Sequence, residues 1–487
     1  MRRGTKDGWD PGDRRWLAAI LVVAAVLRLT MLNPYGVYFY DELFQYVEQA
    51  WRVTSGQGIV TWDIRDAIRP PLLPIVLSWP MQLGVAVTGT AFGGIVALRV
   101  AVALASLAVV ASAWTIGRRW SPLHGFCAAV VMAIWYESIL FGDHVLSESL
   151  ALDAFVAGAA LASNDARRGR LAGAGLCFGL AAVFRMQYAP AVALYVILAL
   201  PWQRWTWVIA GGMIALIAEA IADLSVGMMP FAWVLNNYQG NIVGGKISAA
   251  ATNDPLYYLS NVSYAWGGFL LIPIALLALQ AGRRAVPLAA VAGVVLAIHL
   301  IIPHQEYRYI ALTVVLVIMI AGIGTGTVAQ ALVVRGWRTG AAAALLLAAW
   351  AAASGWAAWH NDLVLAIERE EEPMLRTLRQ LGDDPGVCAV AVPVTGLGWL
   401  SRAYIGRAMP IYVLSGDRLR NPAIRAAESA GFNAAILPRG QVLPGFREQR
   451  CSTDSGGLCV QRRPGGCAPS ADLRQQEVQI FLERNGL

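Results

Sequence analysis

The chain has 487 residues, 57% of them hydrophobic and only 14% charged, with a mean hydropathy of +0.53. A soluble domain carries about 25% charged residues, so this composition excludes a soluble globular enzyme. The net charge of +7 does not signal nucleic-acid binding, because Lys and Arg fall mostly in short loops between apolar runs, where they orient a membrane protein.

Five basic residues, Arg2, Arg3, Lys6, Arg14 and Arg15, precede the first apolar run. They predict a cytoplasmic N-terminus and an uncleaved first span over 16–33. The polar stretch 34–92 then becomes a large first external loop. Within it the apolar piece 71–88, led by the Pro70-Pro71 pair, reads as a helix lying in the interface. Counting it as a span would put Arg118 and Arg119 outside. A second span over 93–117 ends at those arginines. Arg167, Arg168 and Arg170, then Arg204, then Arg283 and Arg284, then Arg335 and Arg338 close later spans in turn. About eleven spans satisfy the charge rule at every cytoplasmic loop, which places the tail from about His360 outside.

The tail reads differently. Residues 387–392 and 432–437 are strand-like and 421–430 helix-like, the pattern of a small α/β domain. It holds Cys388, Cys451, Cys459 and Cys467, enough for two disulfides outside the cytoplasm. No C-x2-C pair or nearby His supports a zinc site there. Cys127 and Cys177 lie in apolar segments and read as small packing residues. The expected architecture is thus an all-α polytopic membrane domain over 1–359 with an extracytoplasmic α/β domain over 360–487.

The external loops carry the polar chemistry. Tyr38-Phe-Tyr-Asp-Glu-Leu-Phe-Gln places Asp41 and Glu42 among aromatics, with Gln45 one helical turn after Asp41. Thr61-Trp-Asp-Ile-Arg-Asp-Ala-Ile-Arg adds Asp63, Arg65, Asp66 and Arg69, which also fit a surface ion network. Asp143, His144, Ser147 and Glu148 lie at another external end, where helix capping explains Asp143 or Ser147 equally well. Arg185 ends a span, where an arginine often snorkels. The turn His304-Gln-Glu-Tyr-Arg-Tyr is more specific. Arg308 suits a phosphate through charge-assisted hydrogen bonds, with His304 as a second donor and Glu306 orienting them; a structural Glu306–Arg308 pair is the plainer alternative.

Tyr40-Asp-Glu-Leu-Phe-Gln and the following Thr61–Arg69 stretch resemble the H-P-D-E-x-F-Q and T-W-E-x-R-x-x-x-R signatures of family 22 glycosyltransferases. These are the dolichyl- or polyprenyl-phosphate-mannose-dependent mannosyltransferases of GPI-anchor and N-glycan assembly. His304-Gln-Glu-Tyr-Arg-Tyr-Ile resembles their H-K-E-x-R-F-I turn. Ser147-Glu-Ser-Leu is similar to their S-N-x-x-E region, and Asn236-Asn-Tyr with Pro255-Leu-Tyr-Tyr is similar to their lumenal F-N…P-W-x-Y stretch. Phe39-Tyr40 stands where the family has His-Pro, and Gln305 where it has Lys.

The resemblance implies a GT-C fold and an inverting transfer, with no metal and no cofactor. A sugar, mannose by kinship, would leave a polyprenyl-phosphate-linked donor for an extracytoplasmic glycan or glycolipid acceptor. Asp41 is the expected base, with Glu42 beside it. His304, Glu306, Arg308 and Arg185 would bind donor phosphate and sugar. Gln45, Asp63, Arg65, Arg69, His144, Glu148, Asn237 and Tyr257 would position the acceptor. The partners are the lipid-linked donor, the acceptor and membrane lipids of the inner or plasma membrane. A protein-directed or oligosaccharyl transferase differs only in acceptor. A lipid or sugar-lipid transporter would instead place ionisable or broken-helix features near the midplane; Glu219 and Asp223 are among the few residues of that kind.

Overall fold

A computed structural model describes residues 11–244, 254–361, 373–416, 429–451 and 457–487. Arg2, Arg3, Lys6 and most of the helix expected over 421–430 lie outside the described residues. The chain divides into two compact units. One comprises Met1–Leu32, Val102–Phe231 and Asn237–Ala366; the other comprises Asn33–Ala101, Ala232–Asn236 and Ile367–Leu487.

Among the described residues five helices are long and apolar enough to cross a bilayer: Ala91–Gly117, Trp202–Ser225, Arg283–Ile301, Tyr307–Val334 and Thr339–His360. A bent pair, Pro122–Ile134 and Tyr136–Asp143, makes a sixth if it counts as one span. Other apolar helices, Leu72–Thr88, Met186–Ala199 and Leu271–Gln280, have 10–17 residues, fewer than the roughly 20 that a bilayer core needs. Helix length therefore supports an integral membrane protein but does not reach the expected count of about eleven.

In the first unit, close helix approach depends on small residues. A Cβ on Gly175 of Arg168–Phe184 would lie 1.9 Å from the Val208 carbonyl oxygen. One on Gly211 of Trp205–Ser225 would lie 1.8 Å from that of Ala172. Apolar helices gain nothing from excluding lipid as they would water, so backbone proximity of this kind is what holds them.

The bent pair breaks by 60° at Trp135, whose backbone is extended. A break within apolar surroundings frees backbone groups that cost several kcal/mol if unsatisfied. Ser354, on Thr339–His360, repairs it. Its hydroxyl accepts from the Tyr136 N–H at 2.9 Å and donates to the Ile134 carbonyl at 2.8 Å.

The second unit contains Leu72–Thr88, which follows the proline pair as expected, and a five-stranded sheet. Its strands are β1 (Val390–Pro393), β2 (Ile411–Leu414), β3 (Ala434–Pro438), β4 (Arg447–Cys451) and β5 (Leu458–Arg462), in the order β2-β1-β3-β5-β4. β1 runs parallel to β2 and β3, with Val390 opposite Ile411 and Ala434; β5 is antiparallel to β3 and β4. β1 and β2 are buried along their whole length, as parallel strands covered on both faces are. The expected strands at 387–392 and 432–437 are present, each displaced by one to three residues toward the C-terminus. The four tail cysteines pair as Cys388–Cys467 and Cys451–Cys459, while Cys127 and Cys177 are free thiols.

Candidate active site

The paired acids belong to the second unit. The helix carrying them starts at Tyr40 and widens into a π-helix over Glu42–Val47 before continuing as Glu48–Ser55. Short π segments of this kind recur at functional sites. The two acids differ sharply in environment. Glu42 is fully buried: one carboxylate oxygen faces Arg99 at 3.2 Å and the other accepts from the Tyr38 N–H at 3.0 Å. Asp41 is only half-buried, so of the pair it alone can be reached by a substrate hydroxyl. Gln45 is buried within the π-helical stretch.

Asp63 is also buried. It accepts from the Thr61 hydroxyl at 2.5 Å, from the Ile64 N–H at 3.1 Å and from Arg69 at 3.4 Å. It thereby holds the start of the short helix Trp62–Arg65. Arg65 faces Asp66 at 3.9 Å with both side chains partly exposed. For Asp63 and Arg69 the geometry is that of the ion network that sequence spacing also allowed. The carbonyls of Asp66 and Ala67 accept from Asn236, the neighbour of the expected Asn237.

The first unit brings the other candidates together. Glu148, at the start of Ser147–Leu161, lies 2.7 Å from Arg185 and 3.7 Å from Arg308, and accepts from the Ser147 hydroxyl at 2.9 Å. Leu146, not Asp143 or Ser147, occupies the cap position of that helix. Glu306 meets Arg308 at 2.5 Å and His304 at 2.6 Å, and accepts from the Tyr309 hydroxyl at 3.3 Å. Arg185 and Arg308 lie over the Tyr309 ring at 4.6 and 5.4 Å. Residues far apart in sequence, 148, 185 and 304–309, thus form one charged cluster. Burial disfavours the Glu306 carboxylate, but the His304 hydrogen bond and the charge and hydrogen bond of Arg308 outweigh it and hold its pKa down at about 2. Arg185 Nε is buried and finds no acceptor among the described residues. Guanidinium donors form strong, charge-assisted hydrogen bonds to oxyanions such as phosphate.

Tyr257 is half-buried at the start of the helix Tyr257–Ala265. His144 is buried at the end of Tyr136–Asp143. Sequence reasoning missed Glu137 and Arg99. Glu137, two residues past the break, is fully buried and accepts from the indole N–H groups of Trp135 and Trp266, at 2.9 and 2.7 Å, and from the Tyr307 hydroxyl. It ties the broken span to the turn that carries Glu306 and Arg308. An acid inside an apolar stretch, as in Trp135-Tyr-Glu-Ser, is the signal that could have found it.

Comparison with known proteins decides the class. The Alg9-like mannosyltransferase family matches residues 18–367. The chain belongs to this family. As a member of the Alg9-like family it is a membrane glycosyltransferase, and its fold is GT-C. Two crystal structures of ArnT from Cupriavidus metallidurans share that fold. The apo form is 14% identical over 92% of this chain and 98% of that one, with a TM-score of 0.57. The form bound to undecaprenyl phosphate is 13% identical over 93% of this chain and 99% of that one, with a TM-score of 0.60. No curated protein matches the sequence. The Alg9-like match ends at residue 367, whereas the ArnT likeness covers nearly the whole chain.

Proposed function

We propose that this enzyme transfers mannose from a polyprenyl-phosphate-linked donor to an extracytoplasmic glycan or glycolipid, with inversion. The observation that carries the reading is the Glu148–Arg185–Glu306–Arg308 cluster with its unanswered Arg185 Nε–H. Family membership supports mannose, and the undecaprenyl phosphate bound to the ArnT relative supports a lipid phosphate as the carrier.

In the proposed reaction an acceptor hydroxyl oxygen attacks the anomeric carbon as the bond from that carbon to the phosphate oxygen breaks. The hydroxyl proton passes to Asp41, and the polyprenyl phosphate departs with the bonding pair. Charge grows on the phosphate, so cations fixed beforehand stabilise the transition state by several kcal/mol. Arg185 and Arg308 are the proposed cations, with His304 as a further donor. The two carboxylates hold these arginines in place while no phosphate is bound. The buried Glu42 cannot take the proton as Asp41 can; its proposed role is to fix the backbone beside Asp41.

Neither oxidation nor a second substrate group is needed, and the proposal requires no metal or cofactor. The N-terminus is proposed to be cytoplasmic, with the acids, the turn and the tail outside. The test is incubation of the purified enzyme with synthetic polyprenyl-phosphate mannose and extracted envelope glycolipids or peptides. Gain of one hexose on a glycan or glycolipid is expected. Transfer only to peptide would move the assignment to a protein-directed transferase, and no transfer from any polyprenyl-phosphate sugar would end it.

A further inference from the structure

Two buried acids bracket the π-helix of the second unit, and one short piece of the tail holds the second of them and the chain ahead of the first. At its start Glu42 pairs with Arg99 at 3.2 Å. The Tyr404 hydroxyl donates to the Pro34 carbonyl, in the chain leading to these acids. Just past its end Glu48 accepts from the Ser401 hydroxyl and from the Ala403 N–H at 2.9 Å, while its second oxygen accepts from the Ile59 N–H at 2.9 Å. Gln49 closes the same segment by donating to the carbonyls of Phe44 at 2.8 Å and Ile59 at 2.9 Å.

The tail piece is built to come close. Ser401 caps the helix Arg402–Ile405, and Gly406 ends it in the left-handed conformation, φ +73°. A Cβ on Gly406 would lie 2.9 Å from that of Ala91, and one on Gly382 would lie 2.0 Å from the Ile405 carbonyl oxygen. Tyr35 and Phe92 pack around the Tyr404 ring at 5.8 and 6.4 Å. The Ser401 hydroxyl, the Ala403 N–H and the Tyr404 hydroxyl all bond to groups between Pro34 and Glu48, the stretch that contains Asp41, while Arg402 bonds within the tail to Met409 and Glu477.

We infer that Ser401, Tyr404 and Arg99 are positioning residues for the transfer: they hold the π-helical segment and the chain ahead of it in the register that presents Asp41, so the tail piece around Ser401 serves the catalytic step without touching the reacting atoms. A π-helix is less stable than the α-helix it interrupts, and it persists only where its surroundings determine it. Glu42 and Glu48 supply that determination from both ends. The inference rests on the reading of Asp41 as the base.

The experiment uses full-length protein in detergent or nanodiscs, with the single-hydroxyl variants Tyr404→Phe and Ser401→Ala, the conservative Ser401→Thr, and Val442→Ala as an exposed control in the same unit. Expected are a fall in kcat of about 10–100-fold for the first two, as small misplacement of a reacting group produces, an unchanged donor KM, recovery in Ser401→Thr, and faster amide hydrogen exchange over 38–60. A purely structural role would lower the amount of folded enzyme without this split between kcat and KM. Unchanged kcat in Tyr404→Phe and Ser401→Ala, with or without a change in exchange, overturns the inference while leaving an active wild type and the proposed function intact. A wild type inactive with every lipid-phosphate sugar overturns both.

Discussion

Two pairs of largely buried acids, one in each unit, are answered differently. In the first, Glu148 and Glu306 face guanidinium groups, and each charge is matched by a neighbour of opposite sign. In the second, Glu48 is answered by neutral hydroxyl and N–H donors, and Glu42 by one N–H and one arginine. Burial pushes the Glu48 carboxyl up, and its hydrogen bonds to Ala403, Ser401 and Ile59 only partly offset that. In the proposed reaction the Arg-paired carboxylates keep cations in place for an incoming phosphate. Carboxylates satisfied by backbone N–H groups fix the course of the chain. Burial alone does not assign a function to an acid; the partners do.

The sharpest test is at Asp41, the more exposed acid of the Asp41–Glu42 pair. Asp41→Asn is expected to lower the transfer rate by roughly 10²–10⁴-fold, the usual contribution of a general base, with donor binding kept. Full activity in that variant removes the proposed base.

In the ion-paired cluster, Arg308→Ala should weaken donor binding and destabilise the fold by about 3–5 kcal/mol, because it leaves buried carboxylates short of a partner. Titration with a non-transferable lipid phosphate, alongside thermal melting, checks both. Unchanged affinity would place the phosphate elsewhere.

The second unit should depend on covalent closure where the first depends on apolar packing. Replacing Cys388 and Cys467 with Ser opens a loop spanning 79 residues, worth about 4 kcal/mol on a chain-entropy basis. Alkylation of the four tail thiols should require prior reduction, and labelling without reductant would contradict the disulfides.

A smaller effect belongs to the break at Trp135. Ser354→Ala leaves the Tyr136 N–H and the Ile134 carbonyl without their bridge, at a cost of about 1–3 kcal/mol read as a lower melting temperature. The smallest effect is a null one. With its pKa held at about 2 against an ordinary 4.5, Glu306 contributes stability that is complete above the ordinary value and lost only as pH falls toward 2. Donor affinity should therefore show no Glu306 titration between about pH 5 and 8. A step in that window, absent from Glu306→Gln, would show that the cluster is not held as the geometry has it.

Much of this was legible in the residues. Composition declared the membrane, and the four tail cysteines in an α/β-patterned segment declared a disulfide-bonded domain. The motif order over Asp41–Glu42, Glu148 and His304–Arg308 declared the enzyme family. These signals are local or compositional, and a chain carries them whatever its tertiary arrangement. The count of about eleven spans, drawn from apolar runs and loop charges, is not confirmed: among the described residues five helices, or six with the bent pair, are long and apolar enough to cross a bilayer.

Tertiary structure decided which of two adjacent acids is accessible, and it joined 148, 185 and 304–309 into one ionic cluster. It also gave Arg99, Ser401 and Tyr404 their place around the π-helix. None of these follows from spacing, because each depends on pairs of side chains separated by tens to hundreds of residues. Whether a buried charge is tolerated is settled only by the partner that folding brings to it.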